Sequence, residues 1–98
     1  MKYSIYQLNQ TELGKSLLFL PYDKVRNKVD ARNYDKVWEG EVEDLETPCR
    51  TICAELANNL PAGYYGHVPT VSDVIVFDNG TAFYIDVVGY KEISGFNL

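Results

Sequence analysis

The chain has few of the residues from which metal and nucleophile sites are usually built. Two cysteines and one histidine stand among 98 residues. Cys49 and Cys53 sit at i and i+4, which points both the same way on a helix but suits an intrahelical disulfide poorly. With His67 they make three ligands where a structural zinc wants four. Both cysteines therefore read as core residues, and neither a metal nor a cofactor is expected. Free core thiols fit a reducing cytoplasm. Long apolar runs are missing too. No stretch approaches the roughly 18 residues of a membrane span, and the opening MKYSIYQLNQ is too polar for a leader peptide. A cytoplasmic protein with no membrane partner is expected. Basic residues are outnumbered, nine against 14 acidic, for a net charge of −5. That balance weighs against direct contact with nucleic-acid phosphates. There is no Gly-x-Ser-x-Gly elbow and no phosphate-cradling glycine loop.

What is present is one domain's worth of chain, 46% apolar, enough for a single core. Its strongest local signal is Val71 to Gly89, where two β-rich runs flank Asn79-Gly80, a dipeptide suited to a type I′ hairpin turn. A two-residue turn would set Phe77 against Ala82, Val76 against Phe83, Ile75 against Tyr84 and Val74 against Ile85. One face then carries Val74, Val76, Phe83 and Ile85, and the other Ile75, Phe77, Ala82 and Tyr84. Apolar residues on both faces predict interior strands covered on two sides. The same register would oppose Asp73 and Asp86 as like charges. Such a pair either shares a proton or a cation, or the two aspartates separate, one capping a turn N–H and the other meeting Arg32 or a lysine.

Around the hairpin, Tyr3 to Leu8 reads as a first strand and Asn9 to Lys15 as a polar connection, while Leu17 to Leu20 is too short to classify by period. Pro21 reads as the first residue of a short helix over about Tyr22–Lys28. Tyr34 to Val42 reads as a strand with Trp38 and Val42 on one face and Glu39, Glu41 and Glu43 on the other. Thr47 as cap and Pro48 at the first turn open an amphipathic helix over about Pro48–Asn59, with Cys49, Ile52, Cys53, Leu56 and Leu60 on its apolar stripe. Tyr90 to Phe96 supplies a short last strand. The fold class is α+β, a mainly antiparallel sheet of about four to five strands around a central Asp73–Val88 hairpin, packed by those two helices.

Two charged stretches stand out. Lys24, Arg26, Lys28, Arg32 and Lys36 are interleaved with Asp23, Asp30 and Asp35, either a basic patch for an anionic partner or a solvated face of mixed ion pairs. Glu39, Glu41, Glu43, Asp44 and Glu46 form an acidic row that could dock a basic partner or could be the wet edge of a sheet.

Several pieces carry a resemblance: Ile5-Tyr6-Gln7-Leu8, Val29 to Tyr34, Gly66-His67, Val71-Ser72-Asp73-Val74-Ile75 and Tyr84-Ile85-Asp86-Val87-Val88-Gly89-Tyr90. In this order they resemble the YodL-like domain family, and the likeness spans nearly the whole chain, so residues 1–98 read as a single such domain. The resemblance implies a small bacterial domain found on phage and conjugative elements, with no established activity or cofactor. Where that family tends to read Gly-His-Ser-Leu-Ser-Val, this chain has Gly66-His67-Val68-Pro69-Thr70-Val71, which removes the first serine hydroxyl.

The polar residues inside the matched blocks are His67, Ser72, Asp73 and Asp86. They form either a structural hydrogen-bonded motif or a site. As a site, His67 would be a general base oriented by Asp73, with Ser72 or Thr70 as nucleophile in a small hydrolase-like enzyme. No catalytic residue is assigned. The expected function is a non-catalytic protein-interaction module of a mobile genetic element, docking an unidentified protein partner through its acidic row or through exposed tyrosines. That partner would be a host or element-encoded nucleic-acid-processing or defence protein. The alternative is an accessory domain touching nucleic acid through Lys24–Lys36.

Overall fold

In the computed structural model, which describes residues 1–96, five antiparallel strands form one sheet in the order β2-β1-β3-β4-β5. The strands are β1 (Lys2–Leu8), β2 (Tyr34–Glu41), β3 (Val74–Phe77), β4 (Ala82–Ile85) and β5 (Tyr90–Ile93). The first strand is an interior one, hydrogen-bonded to β2 on one side and β3 on the other. Its aromatic and β-branched residues suit a strand buried on both faces, and Ile5 is fully buried.

The hairpin between β3 and β4 is present, but its register differs from the expected one. Val76 faces Ala82, Ile75 faces Phe83 and Val74 faces Tyr84. The loop is Asp78-Asn79-Gly80, three residues long. Gly80 N–H donates to the Phe77 carbonyl at 3.0 Å, and Phe77 N–H donates to the Thr81 carbonyl at 2.8 Å. Gly80 follows the turn with φ +91°, which fits a three-residue loop closed by a left-handed glycine rather than the two-residue turn. That one-residue slip turns every β4 side chain over. Val74, Val76, Ala82 and Tyr84 now share one core, and Ile75, Phe77, Phe83 and Ile85 the other. Asp73 consequently lies opposite Ile85, with Ile85 N–H donating to the Asp73 carbonyl at 2.8 Å. The like-charge pair with Asp86 does not arise.

Both faces are covered, as the apolar pattern requires. On one side α3 (Pro48–Asn58) lays Cys49, Ile52 and Leu56 against Tyr3, Ile5, Ile75 and Phe77. On the other, α1 (Glu12–Leu17), α2 (Tyr22–Val25) and the final segment contribute Leu17, Val25 and Phe96 over Tyr6, Leu8, Val74 and Tyr84. Helix α1 replaces the expected polar connection. Thr11 caps it, its hydroxyl accepting the Gly14 N–H at 3.0 Å, and the Gly14 α-carbon comes so close to the Asn9 carbonyl that a Cβ would sit 2.1 Å from its oxygen. Six residues carry too little apolar period to announce a helix. The second helix is also shorter than expected: α2 stops at Val25 and the chain continues as a 3-10 turn over Arg26–Lys28. Pro21 is its cap residue rather than its first helical residue.

Candidate functional site

Gln7, near the end of β1, gathers the polar residues that the sequence scatters. It is buried, and its amide is spent on the segment before β3. Nε2 donates to the His67 carbonyl at 2.7 Å and to Asp73 Oδ2 at 3.1 Å, and Oε1 accepts the His67 N–H at 3.1 Å. An amide nitrogen has two hydrogens, so Tyr64 Oη at 3.3 Å and His67 Nδ1 at 3.2 Å are close neighbours of Nε2 rather than further acceptors. Tyr64 Oη itself donates to the His67 carbonyl at 2.8 Å. Gly66 makes the approach possible: a Cβ there would lie 2.0 Å from Gln7 Oε1.

His67 is exposed, and its Nδ1 lies 2.9 Å from the Val68 carbonyl. A carbonyl only accepts, so Nδ1 carries a hydrogen toward it. Ser72 and Asp73 are both completely buried. Asp73 Oδ2 also accepts the Thr70 N–H at 2.9 Å, whereas Asp73 Oδ1 and Ser72 Oγ have no hydrogen-bond partner among the described residues. Ser72 holds a positive φ of 92°, a costly conformation for a residue with a Cβ. It is pinned there from two sides, by its own N–H to the Ile85 carbonyl at 2.9 Å and by the Tyr34 hydroxyl to its carbonyl at 2.8 Å. Burial pushes the Asp73 carboxyl up to about 7, against the pull of the Thr70 N–H, His67 and Gln7. Burial likewise raises the hydroxyls of Tyr34 and Tyr64, and Asp73 adds to both shifts.

His67 and Asp73 are thus linked through Gln7 and not to each other, and Ser72 is sealed from solvent. A nucleophile must be reachable and paired with its base; here Ser72 and Asp73 are buried beneath the loop that carries the exposed His67. Asp86 stands elsewhere. Its Oδ1 accepts the Tyr22 N–H at 3.1 Å and the Val87 N–H at 2.8 Å, holding the start of α2 against the β4–β5 turn. Gln7 escaped the sequence reading. Its only trace is one amide among the apolar and aromatic residues at the end of the strand, Ile5-Tyr6-Gln7-Leu8.

The acidic row divides into four. Glu39 pairs with Lys36. Asp44 turns inward, Oδ1 accepting the N–H groups of Glu46 (2.9 Å) and Thr47 (3.1 Å), and Oδ2 the hydroxyls of Thr47 (2.9 Å) and Thr51 (2.7 Å). Those bonds, the Thr51 hydroxyl foremost, hold its carboxyl well below the usual carboxylate range. Thr47 therefore gives its hydroxyl to Asp44 and makes no side-chain cap of its own. Glu46 and Arg50 both line an apolar depression formed by Pro48, Cys49, Phe83 and Tyr90. Glu41 and Glu43 line a cleft of about 460 Å³ together with Val42, Asp44, Thr51 and Glu55. Glu55 completes it from α3.

The basic stretch is largely neutralised by its own neighbours. Arg26 pairs with Asp23 at 2.7 Å and lies over the Tyr22 ring, and Arg32 clasps both oxygens of Asp30. Lys36 is held by Glu39. Burial pushes the Cys49 thiol up to about 12, and among the described residues no group of three or more His, Cys, Asp or Glu is placed to hold a metal. None of the helices is long and apolar enough to cross a membrane among those residues.

Compared with known proteins, residues 2–96 match the family model described as the YodL-like domain. No curated protein and no solved structure matches the chain.

Proposed function

From the premise that the chain belongs to the YodL-like domain family, we propose that it is a non-catalytic docking module for a protein partner carrying a basic segment. The observation behind this reading is the cleft between the end of β2 and α3. Glu41, Glu43 and Glu55 converge there around Asp44, and among the described residues none of the three has an ion-pair partner. Asp44 is the buttress. Its oxygens are consumed in fixing the turn into α3, so it supplies negative potential while the three glutamates meet the ligand. Lysine or arginine side chains entering such a cleft are steered by its field and give up little hydration at its rim.

The family's setting on phage and conjugative elements supports a host or element-encoded nucleic-acid-processing or defence protein as the partner, with the domain acting in the cytoplasm. Direct nucleic-acid contact through Lys24–Lys36 has less behind it, because three of those five cations already face carboxylates. The test is affinity capture from the native host with wild-type protein and with Glu41→Lys/Glu43→Lys/Glu55→Lys. The partner is identified and then titrated as purified protein at low and high salt. Loss of binding in a triple variant whose circular dichroism matches wild type supports the reading. Equal binding by the two proteins refutes it.

A further inference from the structure

We propose that the segment 62–70 is a pH-operated latch over the N-terminal end of β3, closed while Asp73 holds a proton and released when it ionises. The segment is held at four residues. Gln7 holds both the N–H and the carbonyl of His67. Thr70 gives its N–H to Asp73 Oδ2 and accepts the Asp73 N–H on its carbonyl at 3.1 Å. The Tyr65 N–H donates to the Val37 carbonyl at 3.0 Å, and Tyr64 packs partly buried against Trp38. Val37 is the extra residue of a bulge, where Ile5 faces Trp38 and Tyr6 faces Lys36. A bulge leaves one residue out of the ladder, and its carbonyl is thereby available to the loop. The outer surface of the latch presents Tyr65 and Val68, both exposed.

Beneath it lies a carboxyl group with no compensating charge. The groups facing Asp73 are Gln7 from β1, Tyr34 from β2, Cys53 from α3, Tyr84 from β4, and Tyr64, His67 and the Thr70 N–H from the latch itself. Of these only His67 can carry positive charge. When Asp73 ionises, the two bonds to Oδ2 strengthen, but Oδ1 remains bare in the core, where Ser72 Oγ is likewise without a partner among the described residues. An ionised oxygen in that position demands water. Residues from β1, β2, α3 and β4 face the carboxyl on the other sides, and the loop, which has no helix or strand of its own, is the cover most able to yield. Burial sets the carboxyl's titration near neutrality, so the latch would respond within the physiological range.

The experiment uses the isotopically labelled full chain. The Asp73 carboxyl carbon is followed by NMR between about pH 5 and about pH 8, alongside hydrogen-exchange protection factors for the amides of Tyr65, His67 and Thr70. The expected result is a near-neutral Asp73 midpoint and a fall in protection of roughly tenfold or more at those three amides across the same midpoint. Amides within β1 and β3 keep theirs. Asp73→Asn should hold the latch protected throughout, and His67→Gln should retain the wild-type dependence. Protection that is flat across the Asp73 midpoint overturns the proposal, as does an equal fall in Asp73→Asn or loss of the dependence in His67→Gln. Should Asp73→Asn fail to fold, the coincidence of the two wild-type midpoints decides alone.

Discussion

Replacing Asp73 by asparagine is expected to stabilise this protein in alkaline solution, although it alters a fully buried hydrogen-bonded residue. The asparagine oxygen can take the place of Oδ2 and accept from Thr70 and Gln7, while its amide nitrogen takes the place of Oδ1. It thus mimics the protonated acid. The native carboxyl titrates at about 7 rather than 3.8, so between those values the folded protein holds a proton that the unfolded chain has lost. Stability from this group is complete below the unfolded value, declines as pH rises through the window, and is level again above the folded value. The full span is worth about 4 kcal/mol, at roughly 1.4 kcal/mol for each tenfold change in proton affinity. About 2 to 3 kcal/mol of it falls between about pH 5 and about pH 8. Urea unfolding of wild type and Asp73→Asn at matched ionic strength reads the difference directly, because the other titrating groups are common to both. With a slope of about 1 to 3 kcal/mol per molar urea, the variant's midpoint should gain about 1 M on wild type over that interval. A difference that does not change with pH, or one that moves in wild type's favour, refutes the buried uncompensated carboxyl.

Two further outcomes follow from neighbouring contacts. Gly66→Ala should displace Gln7 and cost about 1 to 3 kcal/mol, since its methyl would overlap Gln7 Oε1 and break the His67 ties; thermal unfolding at fixed pH measures it, and a neutral effect would mean the loop adjusts without Gln7. Asp44 has its carboxyl depressed, the opposite sign to Asp73. Its contribution is present above the ordinary carboxylate value and vanishes as pH falls through the lower folded one, so Asp44→Asn should flatten the acid limb of the stability curve, read from unfolding midpoints below about pH 4.

Much of the architecture is legible in the sequence because it is written in runs and periods. The β-branched and aromatic runs in Tyr3–Leu8 and Val74–Ile85 place strands, and the Cys49, Ile52, Leu56 spacing places α3. What escapes is set by single residues. Asn79-Gly80 marks a hairpin, yet the choice between two-residue and three-residue loops rests on where the left-handed glycine falls, and the faces of β4 follow from it. Helix α1 depends on a cap and a close glycine, neither of which has a period. The site is legible only in part for the same reason. His67, Ser72 and Asp73 sit in a readable block, but the residue that joins His67 to Asp73 is 60 positions upstream of His67. The acidic row reads as continuous along the chain, while Lys36 and Asp44's own bonds divide it in space.

The docking reading turns on which surface the partner covers. Amide chemical-shift mapping of the labelled domain with the purified captured partner addresses this most directly. Perturbations centred on Glu41, Glu43, Thr51 and Glu55, weakening as salt rises, are the predicted result. Perturbations confined to the Tyr65–Val68 surface or to Lys24–Lys36, with the acidic cleft silent, would contradict it.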